Sequence, residues 1–236
     1  MIQCNLMFNN PFHALLGLIF PEVCLNCRAP RVRGEKMLCT NCLADLPKTN
    51  FHLLRDNTVL NKFAAYPEVS FAYPYLNFSK KGIVQKLLHE LKYEGNEEVG
   101  IIIGRWFGSE LKKVGYDKEI DIIVPVPLHI SKYRTRGYNQ SEVFARGLAE
   151  ALEIEMAPRL IKRIKKTMTQ TRKGKVERWE NVDNIFKVTD QTNLNNKKVL
   201  LVDDVVTTGA TLNSCIEALV KSGAQSIGVV TIASAD

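Results

Sequence analysis

The chain has 236 residues, 45% of them apolar and 24% charged, and a formal net charge of +7. These proportions describe one generous globular domain with a small appendage and exclude a mainly disordered protein. No apolar run approaches the roughly 18 residues that cross a bilayer, and no Lys or Arg precedes Arg28, so neither a membrane span nor a signal peptide is expected and the protein reads as cytoplasmic.

The positive excess is local. Residues 129–187 hold 14 Lys and Arg against 7 Asp and Glu, whereas the remainder holds 18 of each. Within 159–178, nine basic residues meet a single acid, Glu177. Basic proteins meet nucleic acid, phosphorylated substrates or membrane surfaces, so a cluster of this kind needs a local explanation.

In chain order, residues 11–20 place Phe12, Leu15, Leu16, Ile19 and Phe20 at helical spacing. They predict a short amphipathic helix docked on its own protein, since its polar face lacks the Lys and Arg of a membrane-surface helix. Cys24, Cys27, Cys39 and Cys42 then form C-x2-C-x11-C-x2-C. Each pair folds as a tight knuckle, and eleven intervening residues suffice to return the second pair to the same ion. Zinc with four protein ligands and no open position is the expected occupant, hence a structural site. Two disulfides or a redox dithiol would use the same residues, but no secretory signal favours them. Cys4 and Cys215 stand as isolated thiols. Residues 1–50 are assigned to this module and 51–236 to the main domain, with 51–66 a linker or loop.

Residues 69–76 are rich in β-formers, with Pro74 assigning them to a sheet edge. Helices are predicted over 81–93, with Ile83, Val84, Leu87, Leu88 and Leu91 on one face, and over 99–114. A βα alternation follows: a strand at 121–126, a helix at 140–152, a strand at 159–164, an apolar run at 199–202, a helix at 210–222 and a strand at 226–232. Such alternation predicts an α/β fold, a parallel sheet with helices on both faces.

The stretch 199–211, VLLVDDVVTTGAT, carries the most chemistry. An apolar run ends in two acids, and Thr-Thr-Gly-Ala-Thr then opens a helix, where an open α/β sheet binds its ligands. Backbone N–H groups at the helix start, the close approach allowed by Gly209, and the hydroxyls of Thr207, Thr208 and Thr211 make a cradle for a phosphate monoester. Asp203 and Asp204 are placed to accept hydrogen bonds from vicinal hydroxyls one sugar ring away, or to help position Mg2+. Together these pieces describe a ribose 5-phosphate and match the 5-phosphoribosyl-1-pyrophosphate (PRPP) motif of type I phosphoribosyltransferases. A second stretch, 124–140, follows the first core strand and lies on the same edge of a parallel sheet. There Lys132, Arg134 and Arg136 supply cations for a departing pyrophosphate, Arg136 being the preferred candidate.

The cysteine knuckles, HELKY at 89–93, PVPL and RGYNQ, the TQT...R..N element at 169–181, and VDDVVTTGAT occur in the order of the competence protein F (ComF) family, which the chain resembles over about 20–233. The resemblance implies a type I phosphoribosyltransferase fold, a twisted and mainly parallel sheet, with an amino-terminal zinc module and a variable hood at 51–95. It further implies that Asp203 and Asp204 contact ribose hydroxyls, that Thr207, Thr208, Gly209, Ala210 and Thr211 hold the 5-phosphate, that Arg136 meets the pyrophosphate, and that 165–181 is the loop closing over PRPP. Enzymes acting on 6-oxopurines carry an acid at the position of Thr207, so a hypoxanthine or guanine acceptor is disfavoured.

Two functions follow. One is Mg2+-dependent transfer of a phosphoribosyl group, a glycosyl transfer, to an acceptor the sequence does not name, linked to DNA uptake in competence. The other is a non-catalytic protein that senses PRPP and engages single-stranded DNA or a competence helicase. The cluster at 159–178 serves as a catalytic lid in the first and as a nucleic-acid surface in the second, the third reading being a merely solvated surface, the commonest role for any single member. Trp179 is its only aromatic, and for stacking on single strands that is sparse.

Overall fold

The structure is a computed structural model describing residues 22–54, 58–164, 185–189 and 194–235. The helix expected at 11–20, Cys4 and the loop expected at 165–181 lie outside the described residues. The chain divides into two compact units, Met1–Leu46 and Pro47–Asp236.

In the first unit, an isolated antiparallel bridge joins Val23 and Pro30. The first cysteine pair sits in a turn closed by the Arg28 N–H donating to the Cys24 carbonyl at 3.0 Å. The second pair belongs to a short helix, α1 (Thr40–Ala44), with Cys39 as its N-cap and Cys42 within it. Glu35 ties the two halves: its carboxylate accepts from the Val32 N–H at 2.8 Å and from the Thr40 N–H at 2.7 Å. Met37, Leu38 and Leu46 are buried with Cys24 and Cys42.

The second unit is built on a four-stranded parallel sheet in the order β1 (Val69–Asn77), β6 (Ser226–Ser234), β5 (Lys198–Val206), β2 (Ile122–Pro125). Pro74 falls on the edge strand β1, where a missing N–H is tolerated; the chain before it runs along that edge, with Thr49 N–H donating to Tyr75 O at 3.0 Å. Alternate residues of β5 point to opposite faces. Val199 and Leu201 share a core with Leu212, Ile216 and Leu219 of α6 (Ala210–Lys221). Leu200 and Val202, also buried, take the other face, and α5 (Gln140–Leu152) packs on β5 and β2.

Helices α2 (Ile83–Tyr93) and α3 (Glu97–Lys113) bury the faces their spacing predicts, except that Ile83 is only half-buried. Helices α3 and α5 approach closely because neither carries a side chain at the crossing. A Cβ on Gly104 would lie 2.3 Å from the Phe144 carbonyl oxygen, and one on Gly147 would lie 2.2 Å from the Ile101 carbonyl oxygen.

Four expectations are corrected. Residues 159–164 do not join the parallel sheet: β3 (Ile161–Arg163) pairs antiparallel with β4 (Phe186–Val188) in a separate two-stranded sheet, and only Ile161 of its three residues is buried. The segment 51–66 is more than a linker, since Val59 and Phe63 enter the main core beside a 3-10 turn, Leu60–Phe63. The stretch 124–140 contains a helix, α4 (Ile130–Arg136), capped at its start by the His129 side chain. Strand β5 continues to Val206, so the two acids lie within it. Among the described residues no helix is long and apolar enough to cross a membrane.

Candidate functional site

Because β2 and β5 are parallel and Pro125 is in register with Val202, the chain leaving β2 and the acids near the end of β5 share one sheet edge. The RGYNQ residues then build the wall between them. Helix α4 ends at Gly137, whose φ of 81° needs no side chain and whose N–H returns to Tyr133 O. Arg136, in the last turn, donates to Gln140 Oε1 at 2.8 Å and lies over the Tyr93 ring at 5.6 Å from its centroid. Tyr138 donates to the Leu91 carbonyl and so fixes the end of α2. Asn139 is buried: its Nδ2 donates to Val126 O at 2.9 Å while its Oδ1 accepts from the Ser141 N–H at 3.2 Å, capping α5 against the end of β2.

This wall delivers Ser141 to the acids. Its hydroxyl donates to Asp203 Oδ1 at 2.8 Å, and the Asp204 N–H donates to the same oxygen at 2.8 Å. Asp204 takes a different partner, the Lys92 ammonium, at 2.8 Å from Oδ2. Burial pushes the Asp203 carboxyl up to about 7, and the neighbouring Asp204 charge adds to it, against the opposing effects of Ser141, the Asp204 N–H and Lys92.

The acids floor a cavity of about 320 Å3 lined also by Lys92, Lys132, Arg136, Arg163, Ser141 and Thr211. Four cations thus face two carboxylates, an arrangement that suits a polyanion bearing hydroxyls. Thr207, Thr208, Gly209 and Ala210 continue from the acids as a turn outside this lining. Gly209, with φ 80°, is the N-cap of α6, whose first N–H groups have no intrahelical partner. The turn is braced from the 58–64 segment: Lys62 Nζ donates to Thr207 O at 2.8 Å, Asn213 Nδ2 donates to Lys62 O at 3.2 Å, and Phe63 lies under Gly209. Arg134, exposed, is not among the cavity's residues.

Sequence reasoning missed Lys92 and Ser141. HELKY marks the first as a motif position, and only the fold shows that the last turn of α2 faces β5. Ser141 follows RGYNQ directly, and its role depends on the cap that Asn139 makes.

In the first unit, the Sγ atoms of Cys24, Cys27, Cys39 and Cys42 all lie within 4.8 Å of one another and can hold a metal ion. Burial raises the Cys24 thiol, but hydrogen bonds from the backbone of Cys27, Cys39 and Asn26 outweigh it and lower it to about 6. Cys42 accepts from Asn26 Nδ2 at 3.2 Å, which lowers it; burial and the three other thiols prevail and push it up to about 12. A metal ion binds such a cluster as thiolates, so its binding releases protons. Cys215 is buried in the main core, where burial raises its thiol far above the usual range.

Residues 90–236 match the family described as "Phosphoribosyl transferase domain". Among named relatives, Competence protein F of Haemophilus influenzae is 37% identical over 116 residues, covering 49% of this chain and only 51% of that protein. The DNA utilization protein YhgH of Escherichia coli is 26% identical over 229 residues, 90% of this chain and 96% of its own length. Competence protein ComFC of Bacillus subtilis is 28% identical over 214 residues, 88% and 82%. These are the relatives to which the order of the motifs points.

Proposed function

The chain belongs to the phosphoribosyl transferase domain family, and on that premise we propose that it binds PRPP at the edge shared by β2 and β5 and, with Mg2+, transfers the phosphoribosyl group to a nitrogen acceptor. The observation carrying this reading is the convergence of Asp203 and Asp204 with Lys132, Arg136 and Arg163 in one cavity, followed directly by the Gly209 turn into α6. Asp203 and Asp204 accept from the ribose hydroxyls. Thr207, Thr208, Gly209, Ala210 and Thr211 hold the 5-phosphate with hydroxyls and helix-start N–H groups. Arg136, with Lys132 and Arg163, meets the pyrophosphate, whose charge grows as its bond to C1 breaks and the acceptor nitrogen attacks. Fixed cations there lower the barrier as well as the dissociation constant. Asp203 and Asp204 are the hard oxygen donors this chain would offer Mg2+, which when bound would supply further neutralisation of the same charge.

The four thiols fit zinc. Cys27 Sγ and Cys39 Sγ are 3.7 Å apart, and a tetrahedron with zinc–sulfur bonds of about 2.3 Å has edges of about 3.8 Å. With four protein ligands the metal is structural, and it serves the first unit, while the phosphoribosyltransferase reading belongs to the second, from Pro47 onward. A four-thiolate metal site suits a reducing compartment, the cytoplasm.

The names of the relatives, competence and DNA utilization, connect the reading to DNA uptake or use. A second reading, a non-catalytic protein that senses PRPP and engages single-stranded DNA or its helicase, draws on a neighbouring groove of about 1060 Å3. Arg159, Lys162 and Arg163 line it together with the exposed Tyr133, supplying the cations and aromatic ring that single strands use. Pyrophosphate release from PRPP with a panel of bases and amines, run beside a salt-titrated single-strand binding assay, decides between them. Turnover without DNA binding selects the transferase; binding without turnover selects the accessory protein.

A further inference from the structure

The acidic pair already holds a cation of its own. Lys92 Nζ lies 2.8 Å from Asp204 Oδ2, both side chains about one-fifth exposed, and both residues line the cavity. The lysine comes from the last turn of α2, an element distant in sequence from β5. That turn is held by Tyr138, whose hydroxyl donates to the Leu91 carbonyl one residue before Lys92. The ammonium is therefore delivered to Asp204 by the same RGYNQ wall that delivers Ser141 to Asp203.

Two adjacent carboxylates facing one cavity repel each other, and without a positive charge in contact they attract a divalent ion. Here each acid has its own satisfaction: Ser141 and a backbone N–H on Asp203, Lys92 on Asp204. A divalent ion approaching the pair must displace an ammonium and is repelled by Lys132, Arg136 and Arg163 across the cavity. A phosphoribosyl ligand changes this balance, since its anionic oxygens offer Lys92 and the other cations new partners while its hydroxyls take the carboxylates.

We propose that Lys92 is the resident counter-cation of the acidic pair, a positioning residue that keeps divalent metal off Asp203 and Asp204 until a polyanionic sugar phosphate enters and draws the ammonium away. Metal then arrives with the ligand and does not wait on the acids. The proposal rests on the phosphoribosyl reading for its second half only; the exclusion of metal from the empty site stands on charge and geometry alone.

The test is Mn2+ binding to the full chain with its cysteine metal in place, followed by the paramagnetic signal of the free ion, with and without PRPP. Mn2+ alone should bind K92Q at least about tenfold tighter than the unsubstituted protein, because one positive charge beside a dication has been removed. Lys92→Arg, which keeps the charge, should behave as the unsubstituted protein, and D204N introduced into K92Q should abolish the gained site. Matching melting curves of the variants without metal establish that they fold. Equal Mn2+ affinity in K92Q and the unsubstituted protein, or equal gain in Lys92→Arg and K92Q, overturns the proposal. Should PRPP fail to recruit Mn2+ to any of these proteins while K92Q gains the ion alone, the phosphoribosyl reading fails and the role of Lys92 survives.

Discussion

Asp203→Asn should stabilise the ligand-free protein at neutral pH. The carboxyl is held at the floor of the cavity, where burial and the Asp204 charge move it from its ordinary 3.8 up to about 7. An acid whose folded-state value is raised keeps a proton that the unfolded chain releases, so stability falls as pH rises through the window from about 4 to about 7 and stays lowered above it. At about 1.4 kcal/mol per pH unit, the displacement sets a ceiling of about 4 kcal/mol. Asparagine removes the ionisation while its Oδ1 still accepts from Ser141 Oγ and from the Asp204 N–H. Urea unfolding of both proteins without ligand or divalent metal should show D203N more stable by about 1–4 kcal/mol at pH 8. The difference should shrink to nothing near pH 4. A variant no more stable than its parent at pH 8, or a difference independent of pH, refutes the reasoning.

The remaining predictions concern the scaffold. Freshly purified protein should contain one zinc per chain, and Cys27→Ser should lose it together with protease resistance of residues 22–46; well under one zinc per chain contradicts the four-thiolate site. Gly104→Ala should cost about 1–3 kcal/mol or more in urea unfolding, because the added methyl meets the Phe144 carbonyl oxygen at 2.3 Å and forces α3 from α5. An unchanged midpoint would mean that the two helices separate without cost.

The sheet edge proposed as the site, where Asp203, Asp204 and the Gly209 turn lie together, has a local pattern. An apolar run ending in two acids and a Thr-Thr-Gly turn needs no distant information to be placed at a strand end, and the helices at 81–93, 99–114 and 140–152 declare themselves through spacing. What escaped depends on contacts far apart in the chain. Lys92 reaches Asp204 only because α2 ends over β5, and a lysine in a last helical turn is by itself an ordinary solvated residue. Residues 58–64 hold Val59, Leu60 and Phe63 within about one helical turn, a stretch too short for spacing alone to distinguish a turn buried in the core from a linker. The strand at 161–163 is too short, with one buried residue, for pattern to distinguish an antiparallel partner from a place in the parallel sheet. The +7 charge, which first invited nucleic acid, is now located in part: Lys132, Arg136 and Arg163 line the same cavity as the acids.

Calorimetric titration of PRPP with Mg2+ into the full chain tests the central claim most directly. The account predicts saturable binding at one site per chain, weakened at least about tenfold in the Asp203→Ala, Asp204→Ala double variant. No heat and no saturation at millimolar PRPP, or equal affinity in the double variant, would contradict it.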